Sequence, residues 1–223
     1  MNQDIRMFAE SKDEKARQAE VNGLESNQHI DCILVYLEKY IPSFTEKTEL
    51  LENEKENKIN SKLSMYLNRS IAEENHFPYI FDRENPDSKS PEDIIVSYKA
   101  GRREITVFVI ECKRLPTPPP EDREKEYVSG KGAGIQRFKE LDQGKNFSIA
   151  AMIGYIEKEN FSYWFTQINS WIEELSNHEK TIWNHKERLQ KEYDREDFAK
   201  YISSHSRTDR PPIKLVHFWI LKS

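Results

Sequence analysis

Three ionisable residues at the ends of strand-forming runs carry the clearest chemistry in this chain. Between Pro91 and Lys113, Ile94-Ile95-Val96 and the stretch Ile105 to Ile110 are β-branched or aromatic, and the polar turn Lys99-Ala100-Gly101-Arg102-Arg103 separates them. The pattern predicts an antiparallel hairpin. Its second strand should be interior and buried on both faces, yet it ends in Glu111 and Lys113. Side chains two residues apart share one face of a strand, so this pair projects together. With the hairpin in register, Asp93 comes close to Glu111. Converging carboxylates repel unless one is protonated or a divalent cation lies between them, and hard cations such as Mg²⁺ favour oxygen ligands of this kind. Glu92 adjoins Asp93, and either could be the ligand; Asp93 is preferred because it opens the apolar run directly.

The elements that position these groups follow from periodicity. A helix is predicted from about Thr45, with the apolar stripe Ile59, Leu63, Tyr66 or Leu67, and Ile71. Glu52 and Glu56 fall on the core-facing side of that helix and Glu54 does not. Glu56 is then either a solvated residue of the first turns, near the positive end of the helix dipole, or a third acidic group at the metal. Before this helix, residues 1–28 read as a polar arm or loosely docked helix, and Ile30, Ile33, Leu34 and Leu37 as a short amphipathic helix stopped at Ile41-Pro42. Phe77 to Phe81 is an edge strand because of Pro78. Beyond Lys113, the run Pro116-Thr117-Pro118-Pro119-Pro120 is an exposed connection.

Gly130, Gly132 and Gly134 then lead into a helix through Ile135, Phe138 and Leu141, with Gln136 and Arg137 on its first turn. Glycines at such a position can cradle a phosphate, although the Lys-Ser/Thr ending of a P-loop is lacking. Phe147 to Ile156 has the small residues of a central strand. Residues 161–175 and 181–202 read as helices with aromatic core faces, residues 203–207 as a polar loop carrying His205 and Arg207, and Ile213 to Leu221 as a final strand. The fold class is α/β.

Composition narrows the function. The 223 residues carry a formal net charge of -5, which argues against coating nucleic acid by bulk attraction. Contact with nucleic acid would need a local basic face, for which Lys131, Arg137, Arg102 and Arg103 are the candidates. Cys32 and Cys112 imply no disulfide framework, and no Ser-His-Asp order or His-Cys zinc spacing occurs. No run is long and apolar enough to cross a membrane and no signal-peptide core begins the chain, so a cytoplasmic protein is expected.

Helix, three strands, helix and strand, with Asp93, Glu111-Cys112-Lys113 at a strand end and Glu56 on the preceding helix, resemble the PD-(D/E)XK nuclease superfamily over roughly residues 45–156. The motif's proline normally adjoins its aspartate, whereas here Glu92 separates Pro91 from Asp93. The resemblance implies a restriction-endonuclease-like core, a central mixed sheet flanked by helices in three layers, within one domain of residues 29–223 extended by residues 157–223. It implies Mg²⁺, or Mn²⁺ in its place, held by Asp93, Glu111, Glu56 and the Cys112 main-chain carbonyl. Lys113 would activate or orient the attacking water, and Gln136 matches a glutamine found in some branches. The implied activity is phosphodiester hydrolysis of DNA, with RNA not excluded, in restriction or antiviral defence. A homodimer or a partner subunit is compatible with that role. The alternative is a catalytically inactive nuclease-like subunit that binds or assembles a larger complex.

Overall fold

Alternating, β-branched sequence from Tyr79 to Leu115 and from Phe198 to Leu221 builds one sheet in a computed structural model. It describes residues 24–52, 54–74, 77–83, 93–100, 103–118, 121–130, 134–140, 144–179 and 181–222. By contacts the chain divides into a unit Met1–Leu37 and a unit Glu38–Ser223. Helix α1 (Leu24–Tyr40) begins inside the stretch 1–28 expected to be a polar arm or loosely docked helix; residues 1–23 lie outside the described residues. Ile30, Ile33 and Leu37 are buried at helical spacing, and Pro42 sits in the 3-10 turn Ile41–Ser43 that follows.

The long helix expected from Thr45 is two pieces. The short α2 (Phe44–Lys47) ends where Thr48 becomes extended, at φ -136° and ψ 119°, and α3 (Glu56–Ser70) starts after a loop. Helical phasing therefore does not apply to residues 48–55. Glu52 is exposed there, while Glu54 is buried, paired with Lys58 at 3.1 Å and Lys62 at 2.8 Å. Within α3 the expected stripe is buried at Ile59, Leu63, Tyr66 and Leu67, whereas Ile71 lies past the helix in the 3-10 turn Ile71–Glu73 and is half-buried.

The sheet order is β1 (Tyr79–Asp82), β2 (Ile94–Ala100), β3 (Arg103–Leu115), β4 (Ile149–Ile156), β7 (Ile213–Leu221), β6 (Phe198–His205) and β5 (Gln190–Asp194). Strands β1, β2 and β3 form an antiparallel meander, β3, β4 and β7 run parallel, and β6 and β5 return antiparallel. The edge position of β1 and the interior positions of β3 and β4 agree with the sequence pattern. Register and alternation put Glu111, Lys113, Met152, Gly154, His217 and Trp219 on one face and Cys112, Ile153, Tyr155 and Phe218 on the other. Helix α4 (Gly134–Glu140) meets the first face through Arg137 and Glu111, and α3 meets the second through Asn60 and Tyr155. Helix α5 (Phe161–Ser176) adds Trp164, Ile168, Trp171 and Ile172 to a core with Leu115, Tyr127, Phe138 and Trp219.

The helix expected over residues 181–202 is instead mostly a hairpin, β5 to β6. Its turn closes when Arg195 N donates to Phe198 O at 2.7 Å. Ala199, Tyr201, Ser203 and His205 are buried on one face of β6, and a strand reading puts Lys200, Ile202 and Ser204 on the opposite face, where Phe198 is also buried. The polar loop expected at residues 203–207 is thus the end of β6 and its exit. His205 is buried, and Arg207 donates to the main-chain oxygens of Pro211, Gly144 and Phe147. Both are structural parts of the interior.

Candidate functional site

Strand β3 outruns its neighbour. Pairing with β2 ends at Ile94 opposite Ile110, so residues 111–115 have β4 on one side and, among the described residues, no strand on the other. Two carboxylates fill that edge. Asp93, the residue just before β2, accepts from Cys112 N at 2.8 Å, and Glu56, the first residue of α3, accepts from Arg114 N at 3.0 Å. Alternate N–H groups of a strand point to the same side, so both carboxylates stand where the next strand would have stood. The N–H and C=O of one residue also point to the same side, which turns the Cys112 carbonyl toward Asp93.

Glu111 and Lys113 project from the face of the same five residues. Lys113 Nζ lies 2.8 Å from Glu111 Oε1 and 3.4 Å from Glu56 Oε1, and the Glu111 side chain is 0% exposed. Arg137 reaches Glu111 from α4, its Nη1 at 3.2 and 3.3 Å from the two carboxylate oxygens. Beneath this end, Arg114 pairs with Glu157, which also takes Lys222 at 2.8 Å. On the opposite face Tyr155 donates to Asn60 Oδ1 at 2.9 Å, bracing α3 one turn after Glu56.

The charges are unbalanced. Burial and the negative charge of Glu111 push the Asp93 carboxyl up to about 8, with Glu56 adding to the effect, although Lys113 and the Cys112 N–H pull the other way. This shift favours the protonated form of Asp93 up toward neutral pH. Burial alone would lower the Lys113 ammonium, but Glu111, Glu56 and Asp93 override it and raise its pKa well above the ordinary lysine value. Burial raises the Cys112 thiol well above its ordinary range, so it is inert as a nucleophile at neutral pH.

Among the described residues, no three His, Cys, Asp or Glu side chains are gathered at ligand spacing as they stand; the carboxylates are spread around the Lys113 ammonium. The donor set nevertheless fits a hard divalent cation. It is all oxygen, and its one protonated member is held neutral mainly by burial and a neighbouring carboxylate, which a cation would offset.

Of the residues expected from sequence, the structure brings together Glu56, Asp93, Glu111, Cys112 and Lys113. Arg137, expected as a nucleic-acid contact, lies against Glu111. Gln136 is turned elsewhere: it accepts from Gly130 N at 3.0 Å and donates to Glu140 at 2.5 Å. Glu92, Arg102 and Lys131 lie outside the described residues, and of Arg103 only its place at the start of β3 is described. Sequence reasoning missed Asn60 and Tyr155. Asn60 gave a usable signal, being a polar residue four positions after Glu56 beside the apolar stripe; Tyr155 read as ordinary core. Compared with protein-family models, with curated proteins and with solved structures, the chain gives no match in any of the three.

Proposed function

We propose that the protein is a Mg²⁺-dependent phosphodiester hydrolase of the PD-(D/E)XK kind, with a restriction-endonuclease-like core and DNA as its substrate. One observation carries the reading. Three carboxyl groups, Glu56, Asp93 and Glu111, gather at one strand end with Lys113 and Arg137, and burial together with the charge of Glu111 pushes the Asp93 carboxyl up to about 8. Such crowding of carboxyl groups lowers the stability of the fold, and a strongly perturbed carboxyl group such as Asp93 at a strand end supports reading a site there. The order of elements, a helix followed by an antiparallel meander, a helix and a parallel strand, supports the same family.

Asp93, Glu111 and Glu56, with the Cys112 carbonyl, would hold the ion. When bound, Mg²⁺ supplies Lewis-acid charge to a phosphate oxygen and makes a water more acidic. Lys113, positively charged at neutral pH, offsets the negative charge that develops on phosphorus. Arg137, beside Glu111, offers a guanidinium fork to a phosphate oxygen. A defence role rests on the family resemblance alone.

Supercoiled plasmid and a structured RNA are incubated with the purified protein in Mg²⁺, Mn²⁺ or EDTA. Nicking of the plasmid with either ion, abolished by EDTA and by Asp93→Ala, Glu111→Ala or Lys113→Ala in folded protein, is the expected result. Cutting that survives all three substitutions overturns the site. No cutting, together with no Mg²⁺-dependent rise in melting temperature, overturns the enzyme reading in favour of a binding subunit.

A further inference from the structure

A second polar chain crosses the first face of the sheet, away from the carboxylates. Trp219 Nε1 donates to the Tyr127 hydroxyl at 2.9 Å, and that hydroxyl lies 2.8 Å from His217 Nδ1. Ser203 Oγ lies 2.7 Å from His217 Nε2 and 2.7 Å from His205 Nε2. His205 Nδ1, buried and without another hydrogen bond, faces Glu187 Oε2 at 3.5 Å. Glu187 accepts from Lys139 Nζ at 2.6 and 2.7 Å and from the N–H and hydroxyl of Ser206 at 2.9 and 2.7 Å. All of these side chains except Ser206 are buried.

The chemistry of the two ends fixes the protons between them. An indole N–H only donates and an ionised carboxylate only accepts. His205 therefore presents Nδ1–H to Glu187, which leaves its Nε2 to accept from Ser203. The Ser203 oxygen accepts from His217 Nε2–H, His217 Nδ1 accepts from Tyr127, and the Tyr127 oxygen accepts from Trp219. Both imidazoles are neutral and of opposite tautomer. A proton added to His205 reverses every bond as far as Tyr127, whose oxygen then accepts twice while its own hydrogen has no acceptor. A proton added to His217 sets two donors against each other at Tyr127 or Ser203. Burying an unmatched donor is expensive, so one proton uncouples the chain.

The chain grips α4 from both ends. Tyr127 closes the 3-10 turn Glu121–Tyr127, next to Val128, whose oxygen accepts from Gln136 N at 3.0 Å, and Lys139 is on the last turn of α4. Between them, Arg137 contacts Glu111. We propose that this chain is a proton-sensitive brace, which fixes α4 while His205 and His217 are neutral and releases it when either is protonated.

Among the described residues, the titratable groups around the imidazoles leave no counter-charge for both. Glu187 faces His205 but is already matched by Lys139, with Glu140 behind that lysine. Tyr127 faces His217, and Tyr201 on β6 has a buried, unbonded hydroxyl. Strand β4 contributes Met152, Gly154 and Ile156 to this face, α5 contributes Phe165 against Tyr201, and Trp183 packs on His205. Arg207 is committed to main-chain oxygens. Burial accordingly pushes both imidazoles below the ordinary 6.5. A lowered imidazole is stabilising above pH 6.5, and that stability is lost as pH falls, because the opened state takes up protons that the closed state refuses.

The test uses the full chain. Ring-nitrogen NMR at pH 7.5 should show neutral imidazoles of opposite tautomer, protonated at Nδ1 in His205 and at Nε2 in His217. Hydrogen exchange of the α4 amides, corrected for intrinsic rates, should show an opening equilibrium roughly tenfold larger at pH 5.5 for each imidazole released, and about a hundredfold larger if both are. The double variant His205→Gln with His217→Gln should lack that pH step. Identical tautomers, α4 protection unchanged down to pH 5.5, or a step that survives in the double variant overturns the brace; if the variant does not fold, the two wild-type measurements decide. The consequence for Arg137 rests on the nuclease reading, whereas these readouts do not, so either can fail alone.

Discussion

Replacing Asp93 by Asn should stabilise the protein in EDTA while removing its response to Mg²⁺. The amide keeps an oxygen to accept from Cys112 N, so the edge of β3 stays capped, and only the ionisable proton is lost. In the wild type the folded carboxyl titrates at about 8 against an ordinary 3.8. At pH 7 the folded state must therefore hold a proton that the unfolded chain has released, a penalty of about 4 kcal/mol at 1.36 kcal/mol per pH unit. Asp93 is only half-buried, and relaxation with water at its open side reduces this to about 2 kcal/mol. For a chain of this size that is a rise in melting temperature of about 4–8 °C. The pH dependence has a definite sign: the folded pKa is raised, so wild-type stability declines from pH 4 toward pH 8, and the gain from Asn grows over the same window and then levels off. Thermal melts of both proteins, in EDTA and in Mg²⁺ across that range, measure it. A variant that is less stable than wild type in EDTA at pH 7, or that retains the Mg²⁺ shift, refutes the reasoning.

Lys113→Met removes the ammonium shared by Glu111 and Glu56 and should cost about 3–5 kcal/mol in urea titrations without metal, with part of the loss recovered in Mg²⁺. Gln136→Ala should leave any plasmid nicking within about threefold of wild type and cost about 1 kcal/mol of stability, since its partners are Gly130 N and Glu140 and not the carboxylates. Gly154→Ala would put a Cβ 2.5 Å from Trp219 Cδ1, so it should lower stability by about 1–3 kcal/mol in the same titrations and alter the near-ultraviolet dichroism of the indole.

The hairpin was legible because both of its signals were local. The β-branched runs define β2 and β3, and a bulge between Val96 and Ser97 shifts their pairing by one residue so that Ile94 meets Ile110 and Asp93 comes to the Glu111 end. The hairpin of β5 and β6 was not legible, because Ile182, Leu189, Tyr193, Phe198 and Tyr201 also suit a helical period. Burial of alternate residues in β6 is decided by pairing with β7, a partner distant in sequence. Arg207 and His205 were misplaced for a related reason. A polar residue looks like a loop residue until its partners are known, and here the deciding ones are distant in sequence: Glu187 for His205, and the turn holding Gly144 and Phe147 for Arg207.

By sequence Glu56 is either a solvated first-turn residue or a third acidic group at a metal, and the structure places it at the helix start but bonded to Arg114 N and beside Lys113. It is the first residue of α3, where the helix dipole favours a carboxylate, and it is also part of the acidic cluster. The register of β3 explains why. A strand that outruns its neighbour exposes N–H groups at alternate residues, and here Cys112 and Arg114 are capped by Asp93 and Glu56 rather than by another strand. A structural requirement thus draws two carboxylates to the strand edge, and Glu111, projecting from the same five residues, is forced into their company. The Ala and amide substitutions separate the two contributions. Glu56→Ala should lose both the cap and the charge, destabilising the protein in EDTA by about 1–3 kcal/mol. Glu56→Gln keeps an acceptor for Arg114 N and should lose the charge beside Lys113 and the response to metal, but not the cap. Equal stability of the two variants in EDTA would mean that the cap contributes nothing, and the strand edge would then be satisfied by some other group.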